Sequence, residues 1–288
     1  MNTTTPAEVA ALASMQQGLY PHMDIDTYHA GPGISKSGLD AIDANPAVYF
    51  GRYLDPARPP ERERSGQLEG SLAHCAILEP DQFSKRYAVG PDVSTRAVKA
   101  WKEFEAANPK LVCIKPGEYE TAMRQADAVR KLPEVREALE RGRPELSAYW
   151  TDPITGELCR CRPDWVHDWN TAQAIALDVK TCGDASPQEF RRQIARKRYE
   201  VQAAFYTDGF AAASGMQVLA FVFVAVESEW PYAACALMLD EESLDAGRRK
   251  YRRNLDTYAQ CRRTGVWPGY SQQIEIVRLP DWALTEQE

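Results

Sequence analysis

The segment GELCRCRPDWVHDWNTAQAIALDVKTCGD, residues 156–184, constrains this chain more than any other. Its second half is an apolar, β-prone run that reads as a buried strand. Asp178 and Lys180 interrupt that run. They stand two residues apart, so in a strand both side chains point to one face. A carboxylate and an ammonium at the end of a buried strand are costly unless they are paired or used. Pro163-Asp164 supplies a second carboxylate just upstream. Two acids and a lysine form a minimal kit for metal-dependent phosphodiester hydrolysis. The acids hold a hard cation, and the lysine positions or activates water. Asp-x-Lys is common by chance, however, and a surface ion pair on a strand is its ordinary explanation.

Two further motifs change that weighting. In GQLEGSLAHCAILEPDQF, residues 66–83, Leu68, Leu72, Ala76 and Ile77 recur at helical spacing, and Pro80 ends the run. His74 sits inside it. A histidine on an apolar helix is usually a core residue, yet neutral imidazole is also a competent metal ligand. In PQEFRRQIARKRYEVQAAFYTDGFAAAS, residues 187–214, Gln202 and Tyr206 are four apart and share a helix face. Taken singly, each motif has a plain structural explanation. Taken in order, His74, Asp164, Asp178-Val179-Lys180 and Gln202-x-x-x-Tyr206 fit one nuclease site better than a string of coincidences.

That order resembles the RecB-like branch of the PD-(D/E)xK superfamily. Gly70-x-x-x-His74 running to Pro80 resembles its histidine helix, and Gln202-x-x-x-Tyr206 its third motif. ISKSGLDAIDANPAVYF, GSLAHCAILEPDQF and ELSAYWTDPITGELCRCRPDW further resemble the nuclease domain of RecE-like exodeoxyribonucleases. The likeness implies an α/β fold with a mixed central sheet flanked by helices and an N-terminal helical region. It implies Mg²⁺, with Mn²⁺ as a substitute, held by His74, Asp164, Asp178 and the carbonyl of Val179. Lys180 would act on the nucleophile or the phosphorane. Gln202, Tyr206, Arg192 and Arg196 would hold the substrate. The implied activity is 5′→3′ digestion of double-stranded DNA ends, leaving 3′ overhangs for a single-strand annealing protein. The implied assembly is a homotetrameric ring. The expected division is an extension at 1–27, a nuclease domain at 28–270 and a tail at 271–288. Within the domain, a helical part covers 34–141 and a catalytic core 145–264.

Composition sets limits on these expectations. The chain has 288 residues, 44% of them hydrophobic and 26% charged, as expected of a soluble globular protein. It contains no apolar run of membrane-spanning length, and its start lacks the pattern of a secretory signal, so a cytoplasmic location is expected. Its seven cysteines follow no disulfide or zinc spacing, which argues against a cysteine-ligated cluster. The net charge of −7 is unusual for a DNA-binding protein, since phosphate contacts need local positive charge. That charge is concentrated. Arg191, Arg192, Arg196, Lys197 and Arg198 form one cluster, and Arg248, Arg249, Lys250, Arg252 and Arg253 another.

The order of elements predicts helices first, then strands at 146–151, 158–166 and 172–181. A long helix over 187–214 follows, then strands at 218–226 and 232–239, and a charged helix at 241–264. One geometric difficulty stands out. A symmetric hairpin centred on Trp169 would set Asp164 opposite Ala174, about 13 Å from Asp178. Bringing the two acids to one metal needs an asymmetric loop, a bulge at Pro163 or strand twist. Two other functions compete with the exonuclease. One is a restriction-like or structure-specific endonuclease on the same core. The other is a noncatalytic DNA-binding or assembly protein on a nuclease fold.

Overall fold

The computed structural model describes residues 15–59 and 66–284. The start of the expected N-terminal extension, part of the proline-rich loop at 55–66 and the end of the expected tail lie outside the described residues. The first half of the chain is mostly helical. It runs β1 (Gly18–Tyr20), α1 (Ile25–Ala30), α2 (Lys36–Ala44), α3 (Pro46–Tyr49) and a π-helical turn (Phe50–Leu54), then α4 (Gln67–Leu78) and α5 (Pro80–Arg86). β2 (Tyr87–Val89), α6 (Lys99–Ala107), β3 (Val112–Ile114), α7 (Pro116–Arg130) and α8 (Pro133–Glu140) complete that half. The second half holds β4 (Gly142–Pro144), β5 (Ser147–Thr151), β6 (Leu158–Cys161), β7 (Trp165–Asp168) and β8 (Gln173–Cys182). Then come α9 (Pro187–Lys197), α10 (Tyr199–Ser214), β9 (Gln217–Glu227), β10 (Ala234–Met238), α11 (Glu241–Thr264) and a short α12 (Asp281–Leu284).

Five strands form the central sheet in the order β10-β9-β8-β7-β4. β8 and β9 run parallel, and the other neighbours are antiparallel. A parallel pair needs a crossover, which α9 and α10 supply. The alternation of β8 and β9 explains why both faces are covered. Ile175, Leu177 and Val179, with Val222, Val224 and Val226, pack against Leu72, Ile77 and Val129 of α4 and α7. Ala176 and Cys182, with Phe221, Phe223 and Ala225, pack against Phe190, Ile194 and Ala203 of α9 and α10. This is the expected mixed sheet with helices on both faces.

Three local features differ from the sequence-based expectation. The strand expected at 158–166 is two strands. β6 belongs to a separate sheet, β1-β5-β6, while β7 belongs to the central one. The corner falls at Arg162-Pro163-Asp164. Proline has no N–H for a ladder, and the Arg162 guanidinium reaches back to Glu145 (2.7 Å), the Ser147 hydroxyl (2.7 Å) and the Met23 carbonyl (2.9 Å). The helix expected over 187–214 is also two elements. Arg198 breaks it in a left-handed conformation (φ 56°), where its side chain pairs with Asp40 and Asp43 of α2. Finally, β2 and β3 form a parallel two-stranded ladder. Three residues are too few to show a period of two.

α11 closes the molecule against α10. At Gly247 an added Cβ would collide with the Glu200 carbonyl, so only glycine permits this approach. Lys250 reaches the buried Glu200 carboxylate at 2.6 Å, and the Tyr251 hydroxyl donates to Asp208 at 2.8 Å.

Candidate active site

The β7–β8 hairpin resolves the difficulty of the two acids. Its register pairs Asp168 with Ala174 and Trp165 with Leu177. One step further sets Asp164 opposite Asp178. The turn therefore pivots on Thr171, not Trp169, and the asymmetric loop is what removes the separation. Asp164 sits at the corner just before β7, and its Oδ2 accepts the Val179 N–H at 2.8 Å.

His74 arrives from the other side of the sheet. α4 lies on the aliphatic face of β8, and the His74 ring reaches past it to the strand's backbone. Its Nε2 is 2.9 Å from the Val179 carbonyl oxygen, and its Nδ1 is 3.5 Å from Asp164 Oδ2. A carbonyl oxygen can only accept, so Nε2 is the donor of that bond, and Nδ1 faces the carboxyl group. The Val179 carbonyl is thus already engaged by the imidazole, with a second lone pair left over.

Asp178 is buried to 1% exposure, on the α10 face of β8. The Lys180 ammonium pairs with its Oδ2, and the Gln202 amide donates to Oδ1 at 2.5 Å. Lys180 also lies over the Tyr199 ring, 4.9 Å from its centroid. Burial works against the Lys180 charge, but the Asp178 and Asp164 carboxylates outweigh it and hold its pKa above the ordinary lysine value. Lys180 is therefore a fixed cation. Asp164 is shifted the opposite way from a paired acid. Burial, then repulsion from Asp178, raises its pKa above the usual carboxylate range.

A family model described as "PDDEXK-like domain of unknown function (DUF3799)" matches residues 37–280. The chain belongs to the PDDEXK-like family. A search of curated proteins returned no match. Among solved structures, a protein from Eubacterium rectale described as "Putative exonuclease" covers 92% of this chain and 99% of its own, at a TM-score of 0.58 and 10% identity. At that identity the likeness concerns the fold alone. A second structure, SSO0001, covers 55% of this chain and 69% of its own at 14% identity, but its TM-score of 0.30 is too low to inform the fold.

Within the PDDEXK-like fold, the donor set suits a divalent cation. Ligand atoms of His74, Glu145 and Asp164 all lie within 4.8 Å of one another. One imidazole nitrogen and two carboxylates match a small hard cation. The raised pKa of Asp164 marks a carboxyl group that a nearby cation would return to its charged form. His74, Glu145 and Asp164 would hold the ion, with Asp178 beside them.

Glu145 is the residue that motif reading missed. It precedes β5 in a left-handed conformation (φ 50°), its backbone N–H bonds the Asp164 carbonyl at 2.9 Å, and Arg162 holds its carboxylate. No spacing rule singles out a lone glutamate in such a turn. The Tyr199 ring contact with Lys180 likewise has no sequence signature.

The expected substrate-binding residues separate. Gln202 is 7% exposed and braces Asp178. Tyr206 is half-buried and edge-on to Phe221, and burial raises its hydroxyl pKa. Arg192 and Arg196 are exposed on α9, a different helix, so they share no continuous face with Tyr199 and Gln202. Arg192 pairs with Glu189. Arg198 is spent on α2. Among the described residues no helix is long and apolar enough to cross a membrane.

Proposed function

We propose that this protein is a Mg²⁺-dependent exodeoxyribonuclease that digests duplex DNA 5′→3′ and leaves 3′ single-stranded overhangs. The observation that carries the reading is the meeting of His74, Glu145 and Asp164 beside the braced pair Asp178–Lys180 at the β7–β8 hairpin. A bound divalent ion supplies polarisation of the phosphate and a water of lowered pKa. The chain's own residues do the rest. Asp164 and Glu145 concentrate negative charge where the ion is needed. Asp178, fixed by Gln202, holds Lys180 in place. The Lys180 ammonium is positioned to stabilise the charge that develops on the phosphorane. The exposed cations Arg191, Arg196 and Lys197 on α9 offer phosphate contacts.

The RecE likeness supports the finer points: polarity, a ring-shaped homotetramer, an annealing partner that receives the overhang, and a catalytic unit within 28–270. The decisive test is digestion of end-labelled linear duplexes beside covalently closed circles, with Mg²⁺ and with chelator. Early release of the 5′ label, with circles left intact, is expected. Cut circles would mean an endonuclease. No cleavage of either substrate by the folded protein would end the nuclease reading.

A further inference from the structure

β8 and β9 leave the sheet at the same end, the end where the candidate active site lies. Cys182 is two residues beyond Lys180, about 7 Å along the strand. Its carbonyl accepts the Ser228 N–H of the β9–β10 turn at 2.8 Å. That turn is firmly fixed to its surroundings. Gln125 of α7 donates to the Glu227 carbonyl at 2.9 Å, and the Thr121 and Tyr232 hydroxyls are 3.3 Å apart. The Glu227 carboxylate turns inward onto the Ala185 N–H at 3.2 Å.

Against this fixation, the largest apolar side chain of the turn faces solvent. Trp230 is 72% exposed. Its described contacts are with one ring and one cation. Tyr232 meets it edge-on at 6.0 Å, and the Arg124 guanidinium lies 5.6 Å from its centroid. Arg124 forms no ion pair among the described residues, so its charge is available to a ligand. An exposed indole on a fixed turn, with an unpaired guanidinium beside it, has the chemistry of a nucleobase platform. The ring stacks on a base of any identity, and the cation meets the adjoining phosphate.

We propose that Trp230 and Arg124 form a stacking site for one DNA base at the exit of the candidate active site. The inference rests on the nuclease reading and names a contact for its substrate. It is tested by fluorescence anisotropy of the full chain with labelled single-stranded oligonucleotides, with Ca²⁺ in place of Mg²⁺ to block turnover. Trp230→Ala weakens binding about fivefold or more, and Trp230→Phe retains most of the affinity. Arg124→Gln lowers the salt slope by about one unit. In a set of oligonucleotides that each carry one abasic site, the Trp230→Ala penalty vanishes at one position and persists at the others.

Four results would overturn the proposal. Unchanged affinity of Trp230→Ala beside a wild type that binds would remove the platform and leave the nuclease reading standing. A penalty that is equal for every abasic position would mean that no particular base is stacked. A drop in solution mass for Trp230→Ala, measured by light scattering, would assign the indole to a contact between copies. If the wild type binds no DNA, both readings fall together.

Discussion

On one face of β8, Ile175, Leu177 and Val179 lie against the aliphatic side chains of α4 and α7. On the other, Ala176 and Cys182 flank Asp178 and Lys180, whose charges are met by Gln202 and Tyr199. The backbone is the same and the period of two is the same. The first face contributes cohesion, and the second holds charges that burial opposes. The contrast implies that stability and chemistry can be altered separately, one residue apart on the same strand.

The sharpest way to break this contrast is on the charged face. Lys180→Ala and Asp178→Asn should each slow cleavage at least about a hundredfold, since lost charge stabilisation at a reaction centre costs roughly 3 kcal/mol. Asp178→Asn loses attraction to Lys180 but also repulsion from Asp164, so its melting temperature should move by only a few degrees. Rates near wild type in either folded variant would remove these residues from the chemistry.

Leu177→Ala probes the opposite face. Deleting a leucine at 2% exposure costs about 2–5 kcal/mol. Thermal melts should show that loss, while turnover per folded molecule stays within about twofold. A collapse of turnover in the folded fraction would show that the two faces are coupled.

His74 and Glu145 test where cohesion ends and metal holding begins, because α4 contributes to both. His74→Ala and Glu145→Gln should raise the Mg²⁺ concentration for half-maximal cleavage about tenfold or more, with little change in melting temperature. An unchanged Mg²⁺ titration, or an unfolded His74→Ala, would return the histidine to core packing.

The smallest effects distinguish two arginines of one cluster. Arg196→Ala should lower the salt slope of duplex binding by about one unit and leave the melt unchanged. Arg198→Ala should do the reverse, costing about 1 kcal/mol of stability through its half-exposed pairs with Asp40 and Asp43. Matching slopes for both variants would place the DNA path away from α9.

The fold was legible where periodicity was long. The alternation of β8 and β9 and the 24-residue α11 stand in the sequence nearly as they stand in the structure. So did the pairing of Asp178 with Lys180, because two positions on a strand must share a face. Legibility failed where a side chain overrides local pattern. Nothing in the run from Arg191 to Tyr206 announces that Arg198 will leave the helix for two aspartates on α2. The stretch from Leu158 to Val166 reads as one strand because Pro163 alone does not reveal a change of sheet. Glu145 was invisible for a related reason. It comes near His74 and Asp164 through the corner at Arg162, a long-range arrangement that no spacing encodes.

The close approach of α11 at Gly247 bears on how the protein is made. α10 carries Gln202 and Tyr199, but its buried Glu200 finds its cation, Lys250, only on α11, which also supplies the Tyr251 hydroxyl to Asp208. During synthesis Lys250 emerges from the ribosome 50 residues after the Glu200 it pairs with. Until α11 arrives, the helix that braces Asp178 lacks its outer wall. The wall behind the Asp178 brace is thus complete only once α11 has been made, and a product terminated before α11 would lack it.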